Sequence, residues 1–119
     1  MGTMSYRADR IFPTLPSTID ICPLSELPPG ARKLIEHDDL DIGIFNVGGT
    51  LYAIEDRCSH DDGPLAEGTL DPGKCTIECP RHGSLFDLRT GRPMTLPAYQ
   101  PVETFTVLVE DDIIKLEVD

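Results

Sequence analysis

Two short modules constrain this chain more than any other feature: Cys58-Ser59-His60 and Cys79-Pro80-Arg81-His82, with 18 residues between His60 and Cys79. Each couples one thiol to one imidazole within a tight turn. Two such turns facing each other present two sulfurs and two ring nitrogens, the mixed donor set of a binuclear iron-sulfur centre rather than the all-cysteine set. Gly63 and Pro64 shape the first turn, and Pro80 and Gly83 shape the second. A glycine beside a ligand also lets backbone amides approach sulfur and stabilise its negative charge.

A chain of 119 residues has room for one domain and one such site. Its 11 prolines and 10 glycines favour short strands joined by shaped turns, so the expected fold class is mainly β. The net charge of -11 excludes a nucleic-acid partner, whose phosphates demand a basic face. Between Arg57 and Arg92, however, six acids stand against five bases, so the acidity lies mostly away from the proposed loops. Residues 1–16 lack the apolar core of a signal peptide and are expected to form a flexible leader before a domain at 17–119. No stretch approaches the length of a membrane span, and the expected location is the cytoplasm. In that reducing compartment the four cysteines are not expected to form disulfides.

Along the chain, Ser17 to Cys22 alternates as a first strand with Cys22 facing inward, and Ser25 to Ala31 reads as a loop. Positions 32–39 fit either a helical turn or an edge strand. Asp41 to Val47 and Leu51 to Glu55 read as a hairpin through Gly48-Gly49. Asp71-Pro72-Gly73-Lys74 suits a type II turn, with Cys75 to Glu78 as the following strand. Ser84 to Leu88 with the Thr90-Gly91 turn suggests another hairpin, and Leu96-Pro97-Ala98 a rigid exit. Thr104 to Val109 and Ile113 to Val118 read as a closing hairpin. Cys75 is expected to face the core, and His37, amid acids, to be solvated.

The segment CPRHGSLFDLRTG with CSH upstream resembles the Rieske ferredoxins, in particular the small carriers of bacterial ring-hydroxylating oxygenase systems. The resemblance implies three antiparallel β-sheets with a cluster-binding subdomain, and one [2Fe-2S] cluster held by loops 58–64 and 79–84. It implies that Cys58 and Cys79 bind one iron, and His60 and His82 the other. Gly63, Pro80, Ser84 and Phe86 would surround the cluster. High-potential members carry an extra cysteine in each loop, where Gly63 and Arg81 stand here, and a tyrosine where Phe86 stands. The absent disulfide and hydroxyl imply a potential low in the Rieske range.

The implied function is one-electron transfer without catalysis. A flavin-dependent reductase would be the donor, and a terminal oxygenase or an iron-sulfur assembly system the acceptor. His37 alone cannot complete the mononuclear iron site of an oxygenase catalytic subunit. Pro64, Leu65, Pro80 and Phe86 are the apolar surroundings expected where an electron leaves. Two alternatives stand beside this reading. One is the small subunit of a nitrite reductase; the other is a structural zinc module drawing on Cys75, Cys79, Cys58 and His60.

Overall fold

The computed structural model describes residues 17–57, 64–98 and 100–118. Ten strands account for most of them, and no α-helix occurs among the described residues. They run β1 (Ser17–Pro23), β2 (Arg32–His37), β3 (Leu40–Val47), β4 (Thr50–Glu55), β5 (Thr69–Asp71), β6 (Thr76–Glu78), β7 (Leu85–Asp87), β8 (Thr104–Phe105), β9 (Val107–Glu110) and β10 (Ile113–Val118). They form three antiparallel sheets ordered β9-β10-β1, β2-β3-β4-β8 and β5-β6-β7.

The middle sheet is a wall with a core on each side. Strand β3 reads Ile42-Gly43-Ile44-Phe45-Asn46, buried at every position, because successive side chains enter opposite cores. Ile42, Ile44 and Ala53 pack with Cys22, Leu27, Ile114 and Leu116 in a framework core. Phe45 and Ile54 face the other way, onto Leu65, Ala66, Ile77, Cys79, Phe86, Leu88 and Ala98. Gly43 lies on this second face, where a Cβ would stand 2.7 Å from that of Ala66. The buried Asn46 donates to the Leu27 carbonyl at 2.8 Å and accepts from the Gly49 amide at 2.8 Å, tying the framework loop to the hairpin turn.

Several sequence expectations find their resolution here. Residues 32–37 form an edge strand, paired with β3 from Arg32↔Phe45 to His37↔Leu40. Gly48 and Gly49 take φ of 62° and 100° in the two-residue turn between β3 and β4. The type II turn is not formed. Gly73 does not adopt positive φ; the left-handed residue is Cys75, at φ 56°, closing a four-residue loop between Asp71 and its partner Thr76. Asp71 Oδ1 accepts the amides of Gly73 (3.0 Å) and Lys74 (3.2 Å), and this side-chain cap replaces the glycine-dependent geometry. Strand β6 accordingly starts at Thr76, although Cys75 is buried as expected.

The expected closing hairpin is also divided. Thr104–Phe105 joins the wall beside β4, while Val107–Glu110 pairs with β10 in the framework sheet. At Thr106 the chain crosses between sheets, and the Thr106 carbonyl accepts the Glu117 amide at 2.9 Å. Period-two alternation continues through such a crossing, so the pattern alone conceals it. His37 is half-buried rather than fully solvated, with Nε2 3.3 Å from Asp38 Oδ2.

Candidate metal centre

The third sheet exists to present a turn. Strand β6 leads into residues 79–84 and β7 leads out, with Glu78 paired to Leu85. The Cys79 amide donates to the Ser84 carbonyl at 2.8 Å, and the Gly83 amide to the Cys79 carbonyl at 2.9 Å. Gly83 supplies the left-handed residue at φ 76°. Within this one turn, burial divides sharply. Cys79 and Ser84 are fully buried, whereas Pro80, Arg81 and His82 are exposed. Cys79 thus belongs to the buried cluster that includes Leu65, Ile77 and Phe86, while His82 lies at the protein surface.

Ser84 is the buried polar group that the fold leaves incompletely used. Its Oγ accepts the Ala98 amide at 3.1 Å, but its own hydrogen finds no acceptor among the described residues. A buried hydroxyl donor beside a buried thiol suits a site for a sulfur-rich, negatively charged group. The donor chemistry therefore fits an iron-sulfur cluster at this turn. Phe86 is wholly enclosed and lies in the same core cluster as Cys79, and it brings no second donor. Cys58, His60 and Gly63 lie outside the described residues, as does the first cluster loop up to position 63.

Two neighbouring segments support the turn. Residues 93–98 run along it: Leu85 donates its amide to Thr95 Oγ1 (2.9 Å) and accepts the Met94 amide (2.6 Å). This is the expected rigid exit, but its outer face is apolar. Met94 is 58% exposed and Leu96 78%. By contrast, Leu65 and Phe86, expected around the point of electron exit, are buried lining. Met94 and Leu96 carry no sequence signal of their own, because only the bonds to Leu85 bring their segment alongside the start of β7.

On the opposite side, Asp56 Oδ1 accepts the amides of Leu65 (2.8 Å) and Ala66 (2.6 Å). Arg32 Nη1 donates to the carbonyls of Ala66 (2.5 Å) and Gly68 (2.6 Å). Neither residue carries a sequence signal, since an isolated acid after a strand and a base at a strand start are common.

Cys75 and Cys79 stand at opposite ends of β6, separated by roughly 13 Å of extended chain. They cannot both bind one zinc, whose thiolate bonds are about 2.3 Å. Burial pushes the Cys75 thiol up from its ordinary range, only partly offset by its hydrogen bond with Tyr52, so it stays a protonated packing group. Nearby, Arg89 holds the Asp87 carboxyl below its usual value through hydrogen bonds at 3.1 and 3.2 Å.

A wall carrying a three-stranded subdomain whose tip offers a buried thiol and an exposed imidazole suits an iron-sulfur electron carrier. The Rieske [2Fe-2S] domain family matches residues 17–106, and the chain belongs to that family. Its cofactor is a single [2Fe-2S] cluster. Among relatives, the 3-phenylpropionate/cinnamic acid dioxygenase ferredoxin subunit of Photorhabdus laumondii is 39% identical over 102 residues, covering 86% of this chain and 95% of that protein. Its Escherichia coli K12 counterpart is 44% identical over 89 residues, 75% of this chain and 82% of that protein. The ferredoxin of carbazole 1,9a-dioxygenase from Nocardioides aromaticivorans IC177 superposes with a TM-score of 0.81 at 31% identity, covering 87% and 99% of the two chains. A solved complex of reduced oxygenase and oxidised ferredoxin in carbazole 1,9a-dioxygenase matches with a TM-score of 0.78 at 33% identity, over 84% of this chain and 92% of that one. The chain is a ferredoxin that transfers electrons and is not itself a catalyst. No helix among the described residues is long and apolar enough to cross a membrane.

Proposed function

We propose that this ferredoxin is a soluble cytoplasmic carrier that takes one electron from a flavin-dependent reductase and delivers it to a terminal oxygenase. Cys58 and Cys79 hold one iron of the cluster, and His60 and His82 hold the other. The observation that carries the reading is the division within one turn, with the Cys79 thiol sealed in the core and the His82 imidazole outside. The relatives support it, being named as ferredoxin subunits of dioxygenases, one of them in a complex with its oxygenase.

When bound, the cluster supplies reversible one-electron exchange. The chain supplies insulation and an outlet. Leu65, Ile77 and Phe86 exclude water from the thiolate side, and the backbone bonds across 79–84 hold the ligands still between oxidation states. The exposed His82 would give a partner a short path, and the exposed Met94 and Leu96 on the segment bonded to Leu85 would offer it an apolar footing. The test is anaerobic. Purified protein should carry equal iron and sulfide, accept one electron from a flavin reductase, and give it to a ring-hydroxylating oxygenase. Reduction without onward transfer to any such oxygenase would favour an iron-sulfur assembly system as acceptor.

The single serine donor and the phenylalanine favour a midpoint in the lower half of the Rieske range of about -150 to +300 mV. Phe86→Tyr would introduce a hydroxyl into the fully buried position beside Cys79. A hydroxyl donating to that sulfur stabilises the more negative reduced state, so potentiometric titration should show a higher midpoint. An unchanged midpoint accompanied by a stability loss of about 1–3 kcal/mol would mean that the hydroxyl is buried without an acceptor.

A further inference from the structure

We propose that Asp56, assisted by Arg32, is a positioning residue that clasps the turn at 65–68 and so fixes both cluster loops in mutual register. The proposal rests on the assignment of Cys58, His60, Cys79 and His82 as ligands. Asp56 stands two positions before Cys58, and Leu65 five after His60, so the carboxylate bonds bridge the two ends of the first loop. Both bonds are charge-assisted and converge on one oxygen. The carboxylate has a firm base, since the Asp56 amide donates to the Asp41 carbonyl of β3 at 2.7 Å.

Arg32 grips the other side of the same turn. It binds the Ala66 and Gly68 carbonyls, and its guanidinium lies over the Phe45 ring, 5.6 Å from the centroid. The turn also closes on itself, the Gly68 amide donating to the Leu65 carbonyl at 3.1 Å. So held, it presses on the entrance to the second loop: a Cβ on Gly68 would lie 1.6 Å from the Glu78 carbonyl oxygen and 3.2 Å from Pro80 Cδ. One rigid turn therefore touches the exit of the first loop and the entrance of the second. A loop whose ends are already joined loses less entropy when its ligands converge on the metal, so the clasp slows cluster release and limits ligand drift on reduction.

The test uses cluster-loaded protein, comparing wild type with Asp56→Ala and Asp56→Asn. Asp56→Ala should retain the chromophore but bleach under chelator at least about tenfold faster, the change expected on losing charge-assisted hydrogen bonds. Its Leu65 and Ala66 amides should exchange faster, while those of Ile114 and Leu116 in the distant framework keep their wild-type rates. The electron paramagnetic resonance g-values of the reduced cluster should shift, and Asp56→Asn, which keeps an acceptor oxygen, should restore them in part. Wild-type bleaching and g-values in Asp56→Ala would overturn the clasp alone, as would equal acceleration of exchange in the framework. If Asp56→Ala does not fold, the wild type still decides, because rapid exchange of the Leu65 and Ala66 amides in the loaded protein would overturn the proposal. Wild-type protein that never acquires a chromophore would overturn the ligand assignment, and the clasp with it.

Discussion

Cys79→Ser is expected to purify without the visible chromophore and to contain almost no iron or sulfide after reconstitution. The position is fully buried, in the core cluster that includes Leu65, Ile77 and Phe86, so a solvent-borne ligand has poor access to substitute for the sulfur. Serine is nearly isosteric, and its hydroxyl is far harder to ionise than a thiol, so the loss is one of ligation rather than shape. The backbone bonds from Cys79 to Ser84 and Gly83 do not involve the sulfur and remain available. The variant should therefore keep the β signature of the wild type in far-ultraviolet circular dichroism. Cys75→Ser provides the contrast. That thiol is protonated and hydrogen-bonded to Tyr52, and its replacement should leave iron content unchanged. A Cys79→Ser protein with the original spectrum would remove Cys79 from the ligand set.

Gly68→Ala should strongly destabilise the cluster subdomain, by about 3 kcal/mol or more. The added carbon would fall 1.6 Å from the Glu78 carbonyl oxygen and 2.8 Å from its carbon, both backbone atoms of β6. Nothing flexible can move aside, so β5 and β6 must separate where Thr69 pairs with Glu78. Gly48→Ala is the control, because its Cβ would meet nothing within 4 Å and only its φ of 62° opposes the change. That left-handed strain is worth about 1–2 kcal/mol. Urea unfolding of the two variants should separate them clearly, and equal midpoints would show that the β5-β6 contact is looser than its geometry implies.

How far the sequence revealed this molecule depended on whether a signal was local. The hairpin of β3 and β4 was readable from Gly48-Gly49, because two consecutive glycines take positive φ at no steric cost. The candidate ligand modules stand out in the sequence because thiol and imidazole are scarce and their spacing is short. The turn before β6 was misread because Pro-Gly implied one geometry, while Asp71 capped the loop in another and left Cys75 in the left-handed region. The division at Thr106 escaped because the alternating pattern is indifferent to which sheet a strand joins. Asp56 and Arg32 escaped for a related reason. Their partners are main-chain atoms of residues 65–68, and a backbone amide or carbonyl leaves no trace in residue identity. The continuous burial of β3 follows from the two cores on either side of the wall.

The chain leaves the wall after Glu55 and rejoins it at Thr104, which pairs directly with Ile54; the Glu55 amide is also bound to the Glu103 carbonyl at 2.9 Å. Departure and return are thus neighbours, so the head is joined covalently to the wall at one narrow neck and otherwise held by Arg32 and the packing of Phe45 and Ile54. Heads of differing length could be exchanged on such a neck without disturbing the framework strands, provided that each brings its own apolar plug for Phe45 and Ile54. Swapping heads between related carriers becomes a practical way to ask whether partner choice resides in the tip or in the scaffold beneath it.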